Sequence, residues 1–146
     1  MIMNILIVYF SNTGNTKRVA ELVGDKLQST HQITIKNALT TTPENVEWSD
    51  IIIIGSPIHG YILFGQKFCS QVMKFITNTL PDDLHEKKII LFATYMFSPG
   101  RAFKKVEKKI ITKNGNIIGT FGEKRAEKDL LSESIKKEVT DFTVTY

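Results

Sequence analysis

Ile5-Leu6-Ile7-Val8-Tyr9-Phe10-Ser11-Asn12-Thr13-Gly14-Asn15-Thr16 runs from an apolar stretch straight into a hydroxyl-rich loop and on to a helix-period segment that begins at Thr16. The six apolar residues do not alternate with polar ones, as a strand covered on both faces requires. The next six carry two threonines, a serine, two asparagines and a glycine. They offer N–H groups, hydroxyls and amides to a ligand rich in acceptors. A phosphate fits, because a helix start adds unpaired N–H groups and the positive end of its dipole, so a dianion can be held without a lysine in the loop. Each charge-assisted hydrogen bond to such a group contributes about 1.5–3 kcal/mol. The bland alternative is an ordinary strand-to-helix turn with Thr13 or Asn15 as the N-cap.

The loop belongs to neither common nucleotide pattern. A Walker A loop needs Gly-Lys-Ser/Thr, whereas Thr16 here precedes Lys17. Gly14 is the only glycine in the loop, so no Gly-x-Gly-x-x-Gly fingerprint exists.

Outward from this stretch the chain keeps alternating. Val19, Val23 and Leu27 recur at helical spacing and predict a first helix ending near Ser29. Ile33-Thr34-Ile35 is a short alternating second strand, and the polar stretch from Leu39 to Asp50 holds at most one helical turn, started by Thr42-Pro43-Glu44. Ile51-Ile52-Ile53-Ile54 is a third strand that stops at a loop of Gly55, Ser56, Pro57, Ile58, His59, Gly60 and Tyr61. Phe68, Val72, Phe75 and Ile76 mark one face of the next helix, with Cys69 on or beside it, and Pro81-Asp82 ends it. Ile89-Ile90-Leu91-Phe92 is the fourth strand and opens into Ala93, Thr94, Tyr95, Met96, Phe97, Ser98, Pro99 and Gly100. Phe103, Val106 and Ile110 give a further helix, Ile117 to Phe121 the fifth strand, and Leu131, Ile135, Val139 and Phe142 a last helix. The charged segment from Glu123 to Asp129 reads as the most mobile part of the body.

Five strands alternating with helices predict an α/β fold: a doubly wound, five-stranded parallel sheet in a three-layer sandwich. At 146 residues, residues 1–146 are expected to form a single domain. Met1 leads almost directly into the first strand, without a leader-like or membrane-spanning segment, so a cytoplasmic location is expected. Cys69 is the only cysteine, which excludes an internal disulfide and a four-cysteine iron–sulfur cluster. It reads as core packing, and redox chemistry would have to come from a bound cofactor. The net charge of +4 is concentrated in residues 101–113, where Arg101, Lys104, Lys105, Lys108, Lys109 and Lys113 face the single acid Glu107.

In an open sheet of order 2-1-3-4-5, ligands sit beyond the carboxyl ends of strands one and three, where the order reverses. The loops after strands one, three and four converge there. One would take a phosphate, and the other two a planar ring. Gly60 reads either as a simple turn glycine or as a residue needing φ > 0. His59 is either a surface imidazole or a ring contact. His31 and His85 flank polar sequence and read as solvent-facing.

"YFSNTGNTKRVA" resembles the FMN-phosphate loop of the flavodoxins, "GSPIHG" their first flavin-flanking loop and "FATYMFSPG" their second, so the resemblance covers nearly the whole chain in the right order. It implies the flavodoxin-like fold, FMN as cofactor and electron transfer as the function. The implied phosphate residues are Ser11, Asn12, Thr13, Gly14, Asn15 and Thr16; the flavin-flanking ones are Ser56, Pro57, Ile58, His59, Gly60 and Tyr61, then Thr94, Tyr95, Met96, Phe97 and Ser98. His59 would lie where the family often carries an aromatic, Gly60 would supply a peptide that reorients with the redox state, and Tyr95 or Phe97 would face the ring from the other side. No catalytic residue and no metal are implied.

The chain departs from the family in charge. Flavodoxins are typically acidic, with carboxylates near the ring that lower its potential, yet neither flanking loop here contains an acid. A unit charge roughly 10 Å away at an effective dielectric near 20 contributes about 1.7 kcal/mol, or about 70 mV for one electron. The absent acids and the basic run predict a higher potential than that of an acidic shuttle. Redox partner proteins are expected, acidic ones docking near residues 101–113. A solvated helix face is the alternative. No nucleic acid is expected, since no recognition motif accompanies the patch.

Two other functions compete. One is a two-electron FMN flavoenzyme of the porphyrinogen or quinone type on the same fold. The other is a non-flavin binding module. A receiver domain needs acids after strand one and an aspartate ending strand three, where this chain has Ser11, Asn12, Gly55 and Ser56. A low-molecular-weight phosphatase needs a cysteine loop with an arginine, and Cys69 reads as part of a helix.

Overall fold

A computed structural model describes residues 2–59 and 65–124. The loop positions Gly60 and Tyr61 and the expected last helix through Leu131, Ile135, Val139 and Phe142 lie outside the described residues.

The central strands are β1 (Asn4–Tyr9), β3 (Ile51–His59) and β5 (Lys88–Tyr95), flanked by β2 (Gln32–Asn37) and β6 (Asn116–Lys124). They pair in parallel in the order β2-β1-β3-β5-β6, and a two-residue strand β4 (Lys67–Phe68) adds to the end of β3 antiparallel. With β4 set aside, this is the order 2-1-3-4-5 that the resemblance to flavodoxins implies. Register runs Ile5↔Ile51 to Tyr9↔Gly55 between β1 and β3, and Ile51↔Lys88 to Pro57↔Thr94 between β3 and β5.

The continuous apolar runs reflect two buried faces. Leu6, Val8, Ile52, Ile54, Ile89 and Leu91 pack on one side with Val72, Phe75, Ile76, Val106 and Ile110. Their neighbours Ile5, Ile7, Ile51, Ile53, Ile90 and Phe92 pack on the other with Val19, Ala20, Val23 and Leu27. Side chains of a strand alternate between faces, so only a strand without alternation serves both layers. The helices α1 (Asn15–Leu27) and α4 (Ala102–Thr112) therefore cover opposite faces.

Several expectations are corrected. Gly55, Ser56, Pro57, Ile58 and His59 are the end of β3, and Thr94 and Tyr95 the end of β5; none of these begins a loop. Proline is tolerated in β3 because β1 pairs no further than Gly55, whose carbonyl accepts from Phe10 N. Alternate residues of a central parallel strand address alternate neighbours, so the missing N–H of Pro57 falls beyond the end of β1. Phe68 is in β4 and not in a helix, and Cys69 is the extended N-cap of α3 (Ser70–Lys74). Phe68 is buried as its spacing implied, edge-on to Phe103 at 5.8 Å. The helix then widens into a π-helical turn, Phe75–Thr79. Between β2 and β3 a six-residue helix α2 (Pro43–Trp48) forms, longer than the single turn expected. Its capping box explains this: Asn45 N donates to Thr42 Oγ1 and Thr42 N to Asn45 Oδ1, a device that contributes about 1 kcal/mol.

Glu123, expected in a mobile segment, is buried on β6 with Arg18 Nη2 at 3.5 Å. His85 is exposed as expected, but His31 is half-buried and its Nδ1 accepts from Met3 N at 3.1 Å. Burial lowers the His31 pKa, and the bond needs Nδ1 unprotonated. The unfolded chain therefore takes the proton first. His31 contributes stability that is complete above its ordinary value of about 6.5 and is lost as pH falls from there through the lower folded value. Urea midpoints should fall between about pH 7 and pH 5, and His31→Asn should flatten that slope. An unchanged slope in the variant would assign the loss to other groups.

Candidate functional site

The loop after β1 turns into α1 at Gly14, whose φ of 93° is a left-handed value that glycine adopts without strain, and an added Cβ would meet nothing within 4 Å. Gly14 is the N-cap, and no side chain caps the helix. Neither Thr13 nor Asn15 fills that role; Thr13 Oγ1 accepts instead from Asn15 Nδ2 at 3.2 Å, and Ser11 Oγ accepts from Gly14 N at 2.9 Å. The first bond of the helix is Arg18 N to Gly14 O. The N–H groups of Asn15, Thr16 and Lys17 thus have no intrahelical acceptor.

Around this open helix end, Ser11, Asn12, Thr13, Asn15 and Thr16 join Pro57, His59 and Thr94 in lining one cavity of about 80 Å³. The Thr16 and Thr94 hydroxyls, both buried, share a hydrogen bond at 2.9 Å that ties α1 to the end of β5. Beside it, Arg18 and Glu123 tie α1 to β6, since Glu123 lies in register with Thr94. Sequence separation hides both ties, and no local pattern signals the Arg18–Glu123 pair.

The remaining expected residues divide. Ser56 is buried and does not line the cavity: its Oγ donates to Pro57 O and accepts from Cys69 N, each at 2.8 Å, bracing the end of β3. Ile58 packs toward the core. Tyr95 lies against Gly122, and Met96 and Phe97 are exposed. Ser98 Oγ accepts from Gly100 N at 3.0 Å, closing the turn before α4. Lys67 pairs opposite His59, and neither it nor Lys105 lines the cavity. Lys105 Nζ donates to Gln66 O at 2.9 Å, while the Gln66 side chain covers Gly100, so the segments after β3 and β5 are bound together.

A wider cavity of about 600 Å³ opens at the opposite end of the sheet, lined by Pro43, Val46, Glu47, Leu84, His85 and Lys87 among others. Polar groups there already serve the fold. Lys87 Nζ donates to the Val46 and Ser49 carbonyls, with its pKa lowered by burial, and Asp83 accepts from His85 N and Asn114 Nδ2. Size alone does not make it the site.

An uncapped helix start, a ring of hydroxyls and amides and two adjoining strand ends can hold a phosphate-sized dianion. These features define an open α/β protein with a donor-rich cleft at the carboxyl end of its sheet. Among the described residues, no group of three or more His, Cys, Asp or Glu could hold a metal ion, and no helix is long and apolar enough to cross a membrane.

The profile of the flavodoxin domain matches residues 6–145, and the chain belongs to the flavodoxin family. It is 32% identical over 124 residues to the flavodoxin-like domain-containing protein BilS of Clostridioides difficile; the match covers 82% of this chain but only 64% of that protein. In fold it is similar to two-electron reduced Megasphaera elsdenii flavodoxin, with a TM-score of 0.80 at 23% identity over 97% of this chain and 99% of the other. Oxidised flavodoxin 2 of Bacillus cereus gives 0.79 at 20% identity over 98% and 99%.

Proposed function

We propose that this chain binds FMN at the β1–α1 loop and passes electrons between redox proteins. The observation that carries the reading is the α1 N-terminus, left without a side-chain cap and facing a cavity of hydroxyls and amides beside Pro57, His59 and Thr94. Membership of the flavodoxin family supports a flavin and electron transport. Bound FMN supplies redox chemistry in one- or two-electron steps.

The residues of the chain divide the work of holding it. Ser11, Asn12, Thr13, Asn15 and Thr16 provide donors for the phosphate, and Gly14 gives the loop its left-handed turn. No lysine is needed there, because the helix dipole and N–H groups carry the attraction. Pro57 and His59 offer one wall for the ring, extended in this reading by Gly60 and Tyr61. Thr94, Tyr95, Met96, Phe97 and Ser98 offer the other. Ser56 fixes Pro57 from beneath, and Ile58 anchors the wall to the core. The reading also puts the protein in the cytoplasm and gives it acidic redox partners at α4.

Titrating the purified protein with FMN, with flavin fluorescence and calorimetry as readouts, tests the cofactor. Saturable uptake with a yellow product is expected, and no uptake would end the proposal. Potentiometric titration then separates carrier from flavoenzyme. Two resolved one-electron steps are expected, with the second potential above that of acidic flavodoxins.

A further inference from the structure

The cations of residues 101–113 are not equivalent. Lys105 is bound to Gln66 O, and Lys113 Nζ donates to Leu80 O at 3.2 Å and lies 3.6 Å from Asp82. Both lysines are committed to holding the fold. Arg101, Lys104 and Lys108 are exposed and follow one another at i, i+3 and i+7, opposite the buried stripe of Ala102, Val106 and Ile110. The next position on that outer face is Ile111, which is 63% exposed. Glu107, the acid in the run, is half-buried, and Glu123 is buried against Arg18. A row of three cations thus ends in one apolar side chain.

We infer that this outer face of α4 is the docking surface for an acidic redox protein, which seats an apolar spot on Ile111 and carboxylates on Arg101, Lys104 and Lys108. Charge complementarity selects the partner, since a basic protein would meet three like charges here. From Arg101 to Ile111 the face is about 15 Å long. One helix face of that length suits the small footprint of transient electron-transfer complexes. Its N-terminal end adjoins the segment after β5, so a partner seated there reaches the carboxyl end of the sheet. The redox character of the partner rests on the FMN reading; the sign of its charge does not.

The test uses the soluble domain of cytochrome b5 as an acidic probe and cytochrome c as a basic one, with binding followed by NMR titration and FMN uptake measured separately. Cytochrome b5 should bind and cytochrome c should not, and affinity for the former should fall steeply with salt. Lys104→Glu/Lys108→Glu should weaken it about tenfold or more with FMN affinity unchanged, whereas Lys26→Glu, on the helix packed against the other face of the sheet, should have little effect. Preference for cytochrome c, or equal binding by the double variant, would overturn the docking surface even with FMN bound. Charge-dependent binding by a protein that takes up no flavin would leave an acidic partner but remove its redox role.

Discussion

Gly55→Ala is expected to lower stability by about 3 kcal/mol, the upper end of what overpacking costs, and to lower the melting temperature by roughly 10 °C. A Cβ on Gly55 would lie 1.9 Å from Cζ of Phe92 and 2.3 Å from both Cε atoms, so the ring lies flat over the glycine. Neither partner has room to retreat. Gly55 is held by β1 on one side and β5 on the other, and Phe92 is stacked on Phe121 at 5.3 Å in the core beneath α1. Shortening the ring should relieve the clash, so Gly55→Ala/Phe92→Leu should be less destabilised than the sum of its single changes. Thermal and urea unfolding of the four proteins measures this, and a single variant as stable as the parent would show that the ring is elsewhere. Because β3 continues from Gly55 into Pro57 and His59, the same variant should also weaken FMN uptake.

Thr13→Ala is expected to weaken FMN by about tenfold to a hundredfold, the loss of one charge-assisted hydrogen bond, and to leave riboflavin affinity unchanged. The side chain is exposed, and its hydroxyl takes only a 3.2 Å bond from Asn15 Nδ2, so its removal should scarcely alter the fold. Thr16 would be a poorer choice. Its buried hydroxyl is shared with Thr94, and truncation would leave that partner unsatisfied, mixing stability with affinity. Fluorescence titration with the two flavins separates the phosphate contribution from that of the ring. Equal losses for both would place Thr13 at the ring or in the fold.

Both predictions concern glycine and threonine positions whose meaning differs in how it is encoded. Thr13 could be read at once: six apolar residues, then six donor-rich ones, then a helical stripe form a local pattern, and local patterns survive translation into structure. The parallel sheet also followed from periodicity, because unalternating strands must be covered on both faces by crossover helices. Gly55 could not be read in that way. Beside Ser56 and Pro57 it looks like the first residue of a loop, and only pairing with Phe92 reveals why a side chain is excluded there.

The same limit explains the other corrections. Phe68 has helical spacing relative to Val72 and Phe75, and burial is what that spacing reports; the backbone at Phe68 is set by its pairing with Ile58, which spacing does not contain. His31 flanks polar residues, yet the backbone N–H of Met3, just before β1, fixes it in place. The surplus of lysines in residues 101–113 was plain, but which of them are free was not. Lys105 and Lys113 are bound to carbonyls roughly thirty or more positions away.

By itself, then, the sequence determined the alternation of strands and helices and a donor-rich turn where the first strand meets the first helix, because each is written in contiguous side chains. Tertiary structure alone decided how far β3 and β5 extend, that Thr16 meets Thr94 and Arg18 meets Glu123, and which cations remain on the outer face of α4. Those outcomes depend on groups that become neighbours only after the sheet closes, and no stretch of chain carries them.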